Sequence, residues 1–321
     1  MSGPIFLMYL VWGPFMGFRN GNQLAKQGRT DLGVSMSEMV TSIRPVHHPS
    51  RIRSLVFPRE HGAWGLLLVP LVTGACVAFP YGNAIGNLVL FLLTSLSLFC
   101  LRTPLESWLG FSPMRAHTRE ERNAVLQTLS ILAPFSLLCL LGLLWGGRNR
   151  GLLLIGSIAG ASFALQACVR LFGRKVRTVA QIIGCIGLTS TSAGAYYVVT
   201  GRLDRTALAL WIASWLFAGN QVHYVQSRIR NARTAGFAER AHSARNFILG
   251  QILMLGAVLA AERAGLLPLL AIIAFLPVTF RGFFWLAGKA QTLDVQRLGL
   301  AELLHGITFG VLLMAAFILR H

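Results

Sequence analysis

The stretch Phe57-Pro58-Arg59-Glu60-His61-Gly62-Ala63-Trp64, continuing as Gly65-Leu66-Leu67-Leu68-Val69-Pro70, is where the chain changes character. Before it the sequence is patchy and basic; after it one apolar run follows another to the end. A Pro, an Arg, a Glu and a His crowd the mouth of the first long uncharged run, and Trp64 stands where an interfacial ring is expected. Working outward, uncharged runs cover residues 63–80, 85–101, 124–147, 151–169, 178–201, 206–227, 246–261, 264–280 and 303–319. Each reaches, or falls within two residues of, the roughly 17–25 residues that a spanning helix needs.

Composition agrees with that reading. Hydrophobic residues make up 54% of the 321 and charged residues only 12%, against about 25% charged in a soluble domain. The solvent is therefore bilayer, where backbone groups must be satisfied within helices. The expected fold is all-α, a polytopic transmembrane helical bundle of about nine spans. Residues 1–56 read as a poorly ordered cytoplasmic lead-in and residues 57–321 as the transmembrane helical domain. Within the lead-in, the apolar stretch 4–18 has no basic residue before it, as a secretory signal would. It reads either as an interfacial helix or as sequence upstream of a start at Met36 or Met39.

The net charge of +18 raises nucleic acid as a partner, but its distribution points to topology. With the first span starting in the cytoplasm, 23 of the 29 Lys and Arg fall on that side and 6 on the other. This is the positive-inside asymmetry. It places the N-terminus inside and the C-terminus outside a cell's inner membrane, and no basic patch is left over to bind nucleic acid. The five Cys all lie in or at the ends of apolar runs with no CxxC pair, so they read as small packing residues.

Polar side chains at membrane depth are costly and ask for a reason. Asn220, His223, Tyr224, Ser227, Arg228 and Asn231 recur at steps of three and four, so they share one helix face. Two readings stand: a hydrogen-bonded seam between helices, or the wall of a cytoplasm-facing cavity. Arg102, followed by Pro104, reads as the end of the second span, and Arg281 as the end of the eighth. Glu302 and His305 lie one turn apart on the last helix. With Glu60 and His61, these residues assemble an inner mouth suited to phosphate or carboxylate groups. The candidate substrate-binding set is Glu60, His61, Arg102, Asn220, His223, Tyr224, Arg228 and Glu302. Glu60 and His61 either meet the Asn220–Arg228 stripe or anchor the first span at the interface. Thr189-Ser190-Thr191-Ser192 reads as helix packing. No phosphate loop, HExxH site or GxSxG elbow is present, and no metal or cofactor is expected.

Nine spans with long inner connections after spans two and six resemble the UbiA-type intramembrane prenyltransferases. In that family these connections carry Asp-rich motifs that hold magnesium and a prenyl diphosphate. Here they read Arg102-Thr103-Pro104-Leu105-Glu106 and Asn220-Gln221-Val222-His223-Tyr224, and the chain has only three Asp. Magnesium wants hard oxygen ligands, so the resemblance is to a UbiA-like architecture without its metal site. Glu60-His61-Gly62-Ala63-Trp64, supported by Arg297-x-Gly299-x-x-Glu302, more closely resembles the entry signature of the YwiC-like bacterial membrane proteins, over roughly residues 57 to 319. That resemblance implies an inner-membrane location and brings no reaction with it. The expected function is binding of a phosphorylated isoprenoid or another anionic lipid without magnesium, with or without transfer chemistry. Two alternatives are a haem-handling protein using two of His61, His223 and His305, and an anion transporter.

The 23-to-6 split of basic residues predicts that a C-terminal reporter active only in the cytoplasm stays silent. Bright signal from that fusion overturns the odd-numbered topology.

Overall fold

The computed structural model describes residues 49–58, 61–82, 84–110, 116–147, 149–173, 176–231, 242, 244–288 and 294–320. Most of these are helical, with no strand among them. The helices are α1 Pro49–Val56, α2 His61–Ala78, α3 Ile85–Trp108, α4 Arg119–Trp145, α5 Asn149–Arg170, α6 Arg177–Thr189, α7 Thr191–Thr200, α8 Arg205–Arg230, α9 Arg245–Arg263, α10 Ala271–Ala287 and α11 Val295–Ile318. Among the described residues seven segments are long and apolar enough to cross a membrane: Gly62–Tyr81, Ile85–Trp108, Arg119–Trp145, Arg150–Arg170, Arg177–Thr200, Arg245–Arg263 and Gln296–Ile318. The other two of the nine apolar runs fall short in different ways. Helix α8 is long, at 26 residues, but carries the polar stripe. Helix α10 is apolar but only 17 residues. The outer faces of the bundle expose Leu138, Leu253 and Phe284, which suits lipid and would be an aggregation hazard in water.

The most enclosed part of the bundle is α7. Every residue from Thr191 to Val199 is buried. Its small residues let neighbours reach its backbone. A Cβ on Gly74 of α2 would collide with the carbonyl of Ser192, and Thr191 Oγ1 donates to the Leu67 carbonyl at 3.0 Å. Gly194 faces the Phe91 ring of α3 and Gly151 of α5 faces Tyr197. The hydroxyls of Thr189, Ser190 and Ser192 donate to carbonyls three or four residues back, where they compete with the helical ladder. The run Thr189–Ser192 is thus a packing device, as its composition suggests.

Acidic residues are spent on helix starts. Thr118 and Glu121 form a reciprocal capping box at α4. Asp204 caps α8 and Asp294 caps α11, each accepting from two backbone N–H groups. Two of the chain's three Asp are therefore committed to caps.

Three sequence expectations are corrected. Pro104 does not end a helix: α3 continues to Trp108, as membrane helices tolerate proline when neighbours satisfy the freed groups. Pro134 and Pro277 likewise lie inside continuous helices. The run 264–280 is not one helix: Gly265, at φ 69°, closes α9 in the left-handed conformation. The chain then turns until α10 begins at Ala271 and runs through Arg281 to Ala287, so Arg281 lies inside a helix. Of the lead-in, residues 49–56 form α1, which packs against α3 and α4 with Leu55 buried; residues 1–48 lie outside the described residues.

Gly74→Val should lower the thermal stability of the purified protein by an amount equivalent to about 1–3 kcal/mol, the usual cost of overpacking. Gly156→Val, where a Cβ meets open space, should be nearly silent in the same melting assay. Equal melting of the two variants would remove the α2–α7 contact as a constraint.

Candidate functional site

Helix α8 is fixed on one side by two indoles. Trp211 Nε1 donates to the Ile186 carbonyl at 3.0 Å and Trp215 Nε1 to the Ile182 carbonyl at 3.2 Å, both on α6. Its other faces carry the polar residues. Asn220, Gln221, Tyr224 and Ser227 are buried. Asn220 Nδ2 donates to Met254 Sδ of α9 at 3.1 Å, and Gln221 Nε2 donates to the Glu302 carbonyl of α11 at 2.6 Å.

Arg281 and Glu302 form an ion pair between α10 and α11. Their side chains are only 9% and 7% exposed. Arg281 Nη2 also donates to Asn220 Oδ1 at 3.4 Å, and its guanidinium lies 4.0 Å from the centre of the Tyr224 ring. Arg228, one turn along α8, lies 6.0 Å from the same ring and reaches the Tyr224 hydroxyl at 3.5 Å. Phe247 and Trp285 wall Tyr224 on its other sides, at 5.9 and 5.8 Å between ring centres. The pair is not fully satisfied: Glu302 Oε1, Arg281 Nε and, nearby on α9, Gln251 Oε1 are buried without a hydrogen-bond partner. Glu302 also lines a cavity of about 20 Å³ with Gly62, Gly65, Ser214, Gln221 and Gly306, enough for about one water molecule.

The sequence-derived set divides. Asn220, Tyr224, Arg228 and Glu302 come together around Arg281. Arg102 belongs elsewhere: because α3 continues past Pro104, Arg102 Nε reaches Glu106 at 2.9 Å, and Arg170 of α5 holds the same carboxylate at 3.4 Å. Arg102 also contacts Gln166 at 3.4 Å and stacks over Phe163. His223 turns to α9, where its ring meets Phe247 edge-on and fills the space over Gly250. His305 Nδ1 lies 2.7 Å from the carbonyl of Ala301 on its own helix. Glu60 lies outside the described residues, as does the side chain of His61, which opens α2. Gly62 of the entry motif, with Gly65, lines the small cavity beside Gln221 and Glu302; the residues lining that cavity do not include the Asn220–Arg228 stripe itself. Gly65, rather than Gly62, is the close approach: a Cβ there would sit 3.2 Å from Leu303. Trp64 packs between Phe57 and Phe99 and so serves the α2–α3 contact.

Gln221 and Gln251 were not singled out by sequence, although an amide inside an apolar run is itself a signal. Arg281 was recognised, but at the wrong register. The positions matching the magnesium motifs do not fit that ion. Glu106 is held by two guanidinium groups, and Asn220 accepts from a third; an Mg²⁺ site would have to displace these cations. Among the described residues no three His, Cys, Asp or Glu side chains gather where they could hold a metal.

Residues 57–197 match the family model described as YwiC-like protein. The matched stretch begins at the entry motif and ends within α7; the run Arg297-x-Gly299-x-x-Glu302 lies beyond it. No curated protein and no solved structure matches the chain.

Removing either member of a buried ion pair strands the other, at a cost on the order of 3–5 kcal/mol. Arg281→Ala and Glu302→Ala should each lower the melting temperature sharply. The double variant Arg281→Met/Glu302→Met should melt above either single variant. Single variants that melt like the parent would show that the pair contributes nothing to the fold.

Proposed function

We propose that this multi-pass helical membrane protein binds the phosphate head of an anionic lipid, a phosphorylated isoprenoid among them, without magnesium. The inner ends of α8, α10 and α11 form the site, with the N-terminus cytoplasmic and the C-terminus outside. The observation that carries this reading is an imbalance of charge. Two guanidinium groups, Arg228 and Arg281, converge on the Tyr224 ring, while one carboxylate, Glu302, is paired there. Among the described residues no carboxylate forms an ion pair with Arg228. The site therefore has one cation in excess, and guanidinium forks match phosphate oxygens. The all-helical bundle and the long connections after α3 and α8 support a UbiA-like arrangement, with arginine taking the place of the metal. Arg102 and Arg170, two cations on Glu106, offer a second inner-side contact for lipid heads. His223 would act only through Phe247.

Binding of farnesyl phosphate, measured by thermal shift in mild detergent, tests this. Farnesyl phosphate should raise the melting temperature, and farnesol should not. EDTA should leave the effect unchanged. Arg228→Gln should weaken binding about tenfold, or roughly 1.4 kcal/mol, consistent with loss of one charged hydrogen bond. Inorganic phosphate and phosphatidic acid vesicles serve as parallel arms that separate recognition of the head from recognition of the tail. Binding that vanishes with EDTA and returns with Mg²⁺ overturns the reading.

A further inference from the structure

We infer that anion binding at this site is coupled to uptake of one proton, with Glu302 as the displaced counter-ion of Arg281. The inference rests on the functional reading above and adds how the site is regulated.

Arg281 is the cation nearest the centre of the site, but Glu302 already occupies it. Both residues lie well inside their helices. Glu302 stands seven residues from the start of α11 at Val295, roughly 10 Å along the axis at 1.5 Å per residue. Arg228 lies nearer the inner end and touches the same Tyr224. An anion arriving at Arg228 is therefore one aromatic ring away from Arg281. To gain the second guanidinium it must take the place of the Glu302 carboxylate.

The surroundings decide what happens to that carboxylate. Glu302 is 5% exposed and its Oε1 has no partner. The charged and titratable groups acting on it are Arg281 of α10, Arg228 and Tyr224 of α8, and His305 of α11 itself. Helix α2 presents Gly62 and Gly65 on that side, and α8 adds the neutral amides of Asn220 and Gln221. Once an anion holds both Arg281 and Arg228, the one group of these left beside Glu302 that could carry positive charge is His305, whose Nδ1 is already engaged 2.7 Å from the Ala301 carbonyl. A buried carboxylate without a cation is costly and neutralises instead. The small cavity next to Glu302 is mostly apolar in its lining and gives no compensating charge. The proton comes from the aqueous phase and forms an O–H bond on the carboxyl group. The charge balances: before, Arg281 is neutralised by Glu302; after, it is neutralised by the anion while Glu302 is uncharged. By linkage, lower pH must favour the bound state, and the anion must favour the protonated carboxyl.

Farnesyl phosphate binding should be measured between pH 7.5 and 9, above the second phosphate ionisation at about 6, so that the probe's own protons do not contribute. Calorimetry in two buffers of different ionisation heat should report uptake of about one proton by the wild-type protein, and Kd should rise by up to about tenfold per pH unit. Glu302→Gln, which keeps the shape but frees Arg281, should take up no proton, lose the pH dependence and bind at least about tenfold more tightly at pH 8. If Glu302 served only the fold, Glu302→Gln would bind no better. Wild-type binding without proton uptake overturns the coupling while leaving the anion site intact. Absence of binding by both proteins overturns the site and the coupling together. Should Glu302→Gln fail to fold, the wild-type proton count decides alone.

Discussion

A charge pair inside an apolar bundle constrains everything around it. Arg281 and Glu302 come from different helices, and neither tolerates lipid. Each must therefore be presented inward at the same depth, which fixes the rotation of α10 and of α11. The amides of Asn220 and Gln221 then lock α8 to both. Buried pairs are weak devices for stability, because desolvation offsets most of their attraction. Their value lies in what happens when one partner is replaced, and the unpartnered atoms Glu302 Oε1 and Arg281 Nε mark this pair as incompletely committed.

The remainder of the bundle supplies the rigidity that this pair lacks. Helix α7 is enclosed by α2, α3, α5 and α8, and its small residues bring backbones into contact at Gly74 and Ser192. Helix α8 is fastened to α6 by Trp211 and Trp215. The polar face of α8 is thus held by a firm partner on one side, while α10 and α11 complete the site on the other.

The membrane class was legible because lipid demands long uncharged runs; helix bounds were less so, since the uncharged run 264–280 takes in the turn before α10. The stripe Asn220, Tyr224 and Arg228 was legible because helical periodicity survives in lipid. Registers were not. Arg281 looked like the end of a span because a charge interrupts the run after Phe280, yet its partner lies 21 residues on and no local pattern reveals it. Pro104 looked like a terminator, yet neighbours in the bundle carry α3 through it, and that continuation turns Arg102 towards Glu106. His223 shares the spacing of the stripe, but one residue's rotation is enough to direct it to Phe247 and Gly250 instead.

Trp285 gives this arrangement an optical consequence. Its indole meets Tyr224 edge-on at 5.8 Å and Phe247 at 5.6 Å, one turn from Arg281 on the same helix. An indole's emission responds to nearby charge, so a displacement of the guanidinium from its carboxylate would be written into the light the protein emits. The difference in emission between the parent chain and a Trp285→Phe variant would isolate a native fluorophore beside the ion pair, without an added label.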